Sequence, residues 1–426
     1  MCNELLENID RVPDLDPELK KRYIGEAKVL RAYNYYELYT KFGDVPYTTK
    51  VLSIKESMSI ARTAKATVIA NVLADLDEVI NGNYLPTSYD ADNKGRITRW
   101  AAMAIKAKIY LFEGNWTQVK NITSTIMTEG GFKLFGSYAG LFEIANEYNS
   151  EVILDAQYRP TSREHQMMYV FLPPTLGGYS QLSPLQELVD SYIMLDGKTI
   201  KETGTSFDES HPYANRDPRL KATVMYTGNS YTLADGTEVV INCEKGEGKD
   251  GYGVGSDCSA TGYYIKKYWD NTYRATLYSG LNPILIRYAD ILLMNAEALA
   301  ELGELDKTAW DATIKPIRDR AGFTLASALE FPEGASKDKL IEIVRNERRS
   351  ELALEGHRHK DIIRWRIADN VLNGWCHGLK TNDVVGTDDG YVRVENRTFN
   401  ANKHYLWPIP QAERDLNGNL EQNPNW

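Results

Sequence analysis

Ala107-Lys-Ile-Tyr-Leu-Phe-Glu-Gly114 and Ala296-Glu-Ala-Leu-Ala-Glu-Leu-Gly303 follow one local plan. Each runs seven residues from a small alanine to a glycine. Small side chains let two helices approach closely, and glycine admits the tight turn between them. Before the first glycine, residues 97–113 carry Ala104, Ala107, Leu111 and Phe112 on one face. After Gly114 and Asn115, residues 116–128 continue with Trp116, Val119, Ile122 and Ile126. The spacing predicts a helical hairpin here and a second at 287–302 and 306–320, turning at Gly303. Such pairs resemble tetratricopeptide hairpins, but their separation in the chain argues against a simple continuous solenoid.

Further helices are predicted at 15–42, closed by Gly43 and Pro46, at 65–80, and at 336–357. The stretch 155–285 differs. Pro173-Pro174, Gly177-Gly178 and the glycines at 246, 248, 251, 253 and 255 predict loops and short strands. Tyr231 to Ile241 predicts a hairpin around Asp235-Gly236. The expected fold class is therefore mainly α, with helical hairpins in one half and a loop-rich half with short strands. By sub-region, 1–150 and 286–426 read as helical and 151–285 as the loop-rich insertion.

Composition narrows the partners. Formal net charge is −10, from 49 basic and 59 acidic residues, which disfavours a phosphate backbone as ligand. The 27 Tyr and 8 Trp outweigh 10 Phe, a tilt toward rings that also hydrogen-bond. Four cysteines form no CxxC pair, so a zinc ribbon is excluded. Cys243 and Cys258 stay open between a loop-closing disulfide and two free thiols. Cys2 reads as an ordinary helix residue. No apolar run is long enough to span a bilayer, and no signal peptide is visible.

Seven segments together resemble the SusD/RagB family of outer-membrane nutrient-binding lipoproteins. In chain order they are Glu26 to Tyr36 with Phe42 to Pro46; Arg99 to Leu111; Leu188 to Tyr192 with Asp196-Gly197 and Arg216 to Leu220; Arg287 to Ala298; Ile317 to Gly322; Asn346 to Gly356 running to Arg364-Trp365; and Leu406 to Gln411 with Asn423-Pro424. The resemblance spans nearly all of 1–426. It implies a single mainly helical domain on tetratricopeptide-like hairpins, with a loop-rich half packed against them. It implies no catalysis, no cofactor and no metal. It also implies an outer-membrane, cell-surface location and a SusC-like, TonB-dependent transporter as partner. Relatives carry a signal peptide, a lipidated cysteine and roughly a hundred more residues before the match to Met1. The resemblance thus implies an N-terminally incomplete chain, whose anchor is read from the family alone.

Residue chemistry then separates structure from function. Arg287, Asp290 and Glu297 are expected on one helix, paired with the Glu347, Arg348, Arg349 and Glu351 cluster. Glu347, Glu351 and Glu355 recur every four residues, as paired acids might, but neighbouring arginines keep carboxylates ionised and spoil a general acid. His357 and His359 are two apart and do not share a helix face for a metal. Sugars stack on aromatic rings beside polar groups. The leading ligand candidate is the loop Tyr268-Trp269-Asp270-Asn271-Thr272-Tyr273, with Tyr278 beyond, and within it Trp269, Asp270, Asn271, Tyr273 and Tyr278 are the expected contacts. The second is Tyr169, Phe171 and Tyr179 beside Gly177-Gly178. The expected function is capture of a glycan for delivery to the transporter. Peptide capture is the alternative, followed by a tetratricopeptide interaction scaffold and, last, a helical glycosidase.

Overall fold

Alanine decides how closely the first helices pack. On Arg99–Phe112, Ala101, Ala102, Ala104 and Ala107 are completely buried. The computed structural model describes residues 1–272, 277–381 and 386–426. These fall into two compact units.

The first unit comprises Met1–Gly131, His359–Leu372 and Phe399–Trp426. Its long helix Pro17–Phe42 starts where the Asp16 side chain accepts from the Leu19 N–H at 2.8 Å, with Pro17 in the first turn. It packs on Lys65–Asn81, which packs on Arg99–Phe112, which packs on Trp116–Glu129. A buried fork joins the first two: Arg31 Nη2 and Nε reach Asp75 at 2.7 and 3.0 Å. Gly114, at φ 72°, makes the turn expected of it. The C-terminal motif of the family resemblance has a local job here. Asn423 donates to the Phe42 and Trp407 carbonyls at 2.9 and 2.7 Å, and the Trp407 N–H donates to Lys41 at 2.7 Å. These bonds staple the chain's end over the end of Pro17–Phe42. No helix among the described residues is long and apolar enough to cross a membrane.

The second unit comprises Phe132–Arg358 and Asn373–Thr398. Strand Val152–Asp155 pairs antiparallel with Ile284–Arg287, in register Val152 to Arg287. Helix Tyr288–Leu302 follows and packs on Lys337–Glu351. Ser230–Thr232 and Glu238–Val240 form the expected hairpin. A seven-residue strand Gly374–Lys380 pairs with Tyr391–Arg397. The architecture is mainly helical with short strands in small sheets, as the periodicity predicts. All four cysteines are free thiols, so Cys243 and Cys258 close no loop.

Three expectations need correction. The helix predicted at 306–320 is two, Lys307–Ala312 and Ile314–Ala321. Pro316 lacks an N–H, and its ring would strike the carbonyl four residues back, so the chain breaks at Thr313. Arg287 lies on a strand and precedes the helix of Asp290 and Glu297. The helix predicted at 336–357 ends at Glu351, and Leu354 turns at φ 63°. Glu355 is therefore not on the helical face of Glu347 and Glu351.

That turn returns Glu355 to a buried ionic cluster. Arg287 reaches Glu151, Glu351 and Glu355 at 2.7, 2.6 and 2.8 Å. Arg219 reaches Asp217, Glu347 and Glu351 at 2.7, 2.7 and 2.8 Å. Arg318 pairs with Glu347, Arg320 with Glu151 and Glu351, and Lys267 with Glu355. Buried charges persist only when paired in this way.

Candidate functional site

The leading loop divides into parts that face inward and parts that do not. Asp270 is buried. One carboxylate oxygen accepts from the Thr272 N–H and hydroxyl, the other from Ser279, so both are spent holding the loop. Trp269 is half-buried: its indole N–H donates to the Thr232 carbonyl at 2.8 Å and its ring meets Tyr231 edge-on at 5.2 Å. Asn271 is half-buried, and Tyr278 is 42 % exposed. Tyr273 lies outside the described residues.

The second cluster folds back on itself. Helix Met167–Phe171 runs into the tight turn Pro174–Leu176, and the Tyr179 N–H returns to the Tyr169 carbonyl at 2.9 Å. That return stacks Tyr169 on Tyr179, ring centres 4.2 Å apart, with Tyr179 40 % exposed. Gly178 is obligatory, because a Cβ there would sit 2.1 Å from the Leu172 carbonyl oxygen. Phe171 is half-buried.

The structure brings these two sequence-distant clusters together. His165 and Ser279 exchange backbone hydrogen bonds of 2.9 and 3.0 Å. Trp269 and Leu277 both pack on the apolar cluster containing Met168, Leu172 and Leu176. The two bridged segments carry four rings, Tyr169, Tyr179, Trp269 and Tyr278, the aromatic rim. Three of the twelve non-glycine residues with positive φ among the described residues lie here. Ser180, Tyr268 and Leu277 have φ of 42°, 64° and 57°, and each adjoins one exposed or half-exposed ring, Tyr179, Trp269 and Tyr278. An L-residue in this left-handed region costs roughly 1–2 kcal/mol. Strain of this kind concentrates at ligand clamps.

A second concavity escaped the sequence reading. A cavity of about 600 Å³ is lined by Phe207, Tyr213, Tyr226, Tyr263 and Tyr391, among others. These rings come from four separate stretches of chain, so no local motif announces them. Tyr213 and Tyr226 stack at 4.0 Å and 17°. The Tyr263 hydroxyl donates to Gln186 at 2.5 Å and lies 3.2 Å from that of Tyr213.

The ionic cluster is poorly suited to acid catalysis. Burial would raise the pKa of Glu351, but Arg320, Arg287 and Arg219 overcome it and hold the carboxyl far below the usual range. Burial likewise opposes Glu355, yet Arg287 and Lys267 hold it down to about 2. No group of three or more metal-ligating side chains converges among the described residues.

Comparison with known proteins places the chain. The profile of the SusD family matches residues 141–426. A second profile, described as starch-binding associating with outer membrane, matches residues 1–111. SusD-like protein P25 of Formosa agariphila is 28% identical over 395 residues, covering 87% of this chain and 69% of that one. A crystal structure of a SusD-like carbohydrate binding protein from Bacteroides fragilis is 30% identical with a TM-score of 0.87, covering 99% of this chain and 83% of that one. A SusD-like protein from the same species is 28% identical with a TM-score of 0.84, covering all of this chain and 83% of that one.

Proposed function

This chain belongs to the SusD family, and from that premise we propose that it captures a glycan at the cell surface without transforming it. The glycan is then handed to a SusC-like, TonB-dependent transporter in the outer membrane. The observation that carries the reading is the rim, where Tyr179 and Tyr278 are 40 % and 42 % exposed and Tyr179 stacks on Tyr169. Exposed tyrosines offer a flat apolar face and a hydroxyl together, the pairing a pyranose ring needs. The carbohydrate-binding description of the Bacteroides fragilis relative supports the same ligand class. Tyr179, Tyr278 and the ring of Trp269 are the proposed contacts, with Asn271 beside them. Asp270 is proposed only to shape the loop. The non-catalytic assignment rests on carboxylates already committed to arginine and lysine.

The test is affinity electrophoresis through gels containing one polysaccharide each, with calorimetry on any that retard the protein. The wild type should be retarded by at least one. Tyr179→Ala with Tyr278→Ala should remove that retardation and lower affinity roughly tenfold or more, from about 0.5–1.5 kcal/mol per ring beyond lost area. Retardation that survives the double substitution moves the site elsewhere. A protein that ignores every polysaccharide but binds peptides shifts the ligand class. Trp269→Ala is a poorer probe, because it also removes the bond to Thr232 and the contact with Tyr231.

A further inference from the structure

The tyrosine-lined cavity is a different kind of surface from the rim. Its volume of about 600 Å³ falls within the range of small-molecule sites, roughly 300–1,000 Å³. Its floor is braced: the Tyr213–Tyr226 stack is tied through Tyr263 to Gln186, whose amide donates to Asp190 at 2.7 Å. With Gln186 engaged at both ends of its amide, the brace has little freedom to turn. Two lining residues keep unspent polar groups. The hydroxyls of Tyr226 and Tyr391 have no hydrogen-bond partner among the described residues. Charge at the cavity is largely compensated, since Lys380 pairs with Glu209 at 2.9 Å while lying over the Tyr391 ring. Glu244 also lines it, so no cationic surplus invites an acidic ligand.

We propose that this cavity is a second carbohydrate subsite, taking one or two terminal rings of a neutral glycan. The inference rests on the capture role proposed above and adds selectivity for chain ends. The stacked tyrosines offer a ring face for the sugar's C–H surface. The hydroxyls of Tyr226 and Tyr391 take the hydroxyls of the terminal unit. Rim and cavity share one rigid backing, because Tyr213, Tyr226, Trp269 and Leu277 all pack on the same apolar cluster. A concave site admits an end or a branch, whereas an open rim accepts any stretch of chain.

Malto-, laminari-, xylo- and manno-oligosaccharides, from disaccharide to heptasaccharide, would be titrated calorimetrically against three proteins: wild type, Tyr226→Phe with Tyr391→Phe, and the rim pair Tyr179→Ala with Tyr278→Ala. Phenylalanine keeps the stack and removes only the hydroxyls. The cavity variant should lose roughly three- to tenfold in disaccharide affinity per hydroxyl. Its retardation by the parent polysaccharide should persist. The rim variant should show the reverse. Unchanged disaccharide affinity in the cavity variant, or disaccharide binding lost in the rim variant, overturns the subsite and leaves the capture role standing. Polymer retardation with no oligosaccharide binding does the same. No response to any glycan overturns both.

Discussion

Replacing Glu351 by glutamine tests the energetic centre of the second unit. Arg219, Arg287, Arg318, Arg320 and Lys267 face Asp217, Glu151, Glu347, Glu351 and Glu355, five charges of each sign among the described residues. Glu351 alone touches three guanidinium groups and is completely buried. Glutamine preserves its shape but leaves one uncompensated positive charge away from water. Breaking a buried pair costs about 3–5 kcal/mol. With a urea slope of about 3 kcal/mol/M, the midpoint falls by roughly 1–2 M. Hydrogen exchange across 284–302 assigns the loss to this unit. Acid supplies an independent arm. Glu355 falls from an ordinary 4.5 to about 2, and Glu347 and Glu351 are also depressed. Depressed carboxylates contribute stability that is complete above 4.5 and lost as pH falls through the folded value. For Glu355 this amounts to about 3 kcal/mol, fading between pH 4.5 and about 2. The variant lacks the share of Glu351, so its acid slope should be shallower. Glu342→Gln, which breaks only the exposed pair with Lys339, should cost under about 1 kcal/mol. A Glu351→Gln midpoint no lower than that control, or an unaltered acid slope, refutes the reasoning.

Two further outcomes follow from local geometry. Gly178→Ala drives a Cβ against the Leu172 carbonyl, a backbone atom that cannot swing aside, and should cost about 1–3 kcal/mol. Limited proteolysis should then cut within 165–182, and a variant as resistant as wild type would contradict the packing described. His377 stands between Glu187 at 2.8 Å and Asp388 at 3.0 Å, with Arg393 also on Asp388. Burial lowers its pKa, but bonds to Asp388 and Glu187 raise it further, so the net shift is upward. The stabilisation is therefore complete below 6.5 and lost as pH rises through the raised folded value. Protection factors of the 375–379 amides, corrected for the intrinsic rise of exchange with pH, should fall over that window in wild type but not in His377→Gln, and identical protection profiles would remove His377 as the cause.

The helices were legible because their signal is local. A seven-residue Ala-to-Gly spacing fixes a close approach and a turn without reference to anything distant. Pro316 was legible too, and its missing N–H should have broken the helix predicted over 306–320. Arg287 was misplaced because the apolar run Ile284 to Ile286 merges without a break into the helical pattern after it. At the rim, sequence could name Trp269, Tyr179 and Tyr278 by composition, but not that a two-residue bridge between His165 and Ser279 joins the segments that carry them. Nor could it show that Asp270 turns inward, since polarity alone does not reveal which partner an acid takes. The cavity was out of reach altogether: Phe207, Tyr213, Tyr226, Tyr263 and Tyr391 share no period, only a place in three dimensions.

The buried ionic cluster also constrains the order of assembly. Its members are strung from Glu151 to Glu355, and Arg287 needs carboxylates from both ends of that span. Until the last of these has arrived, closing the middle would strand cations in an apolar interior. Contacts of such long sequence separation form late and slow the search. The second unit is thus expected to stay open through most of its synthesis and to close in one cooperative step.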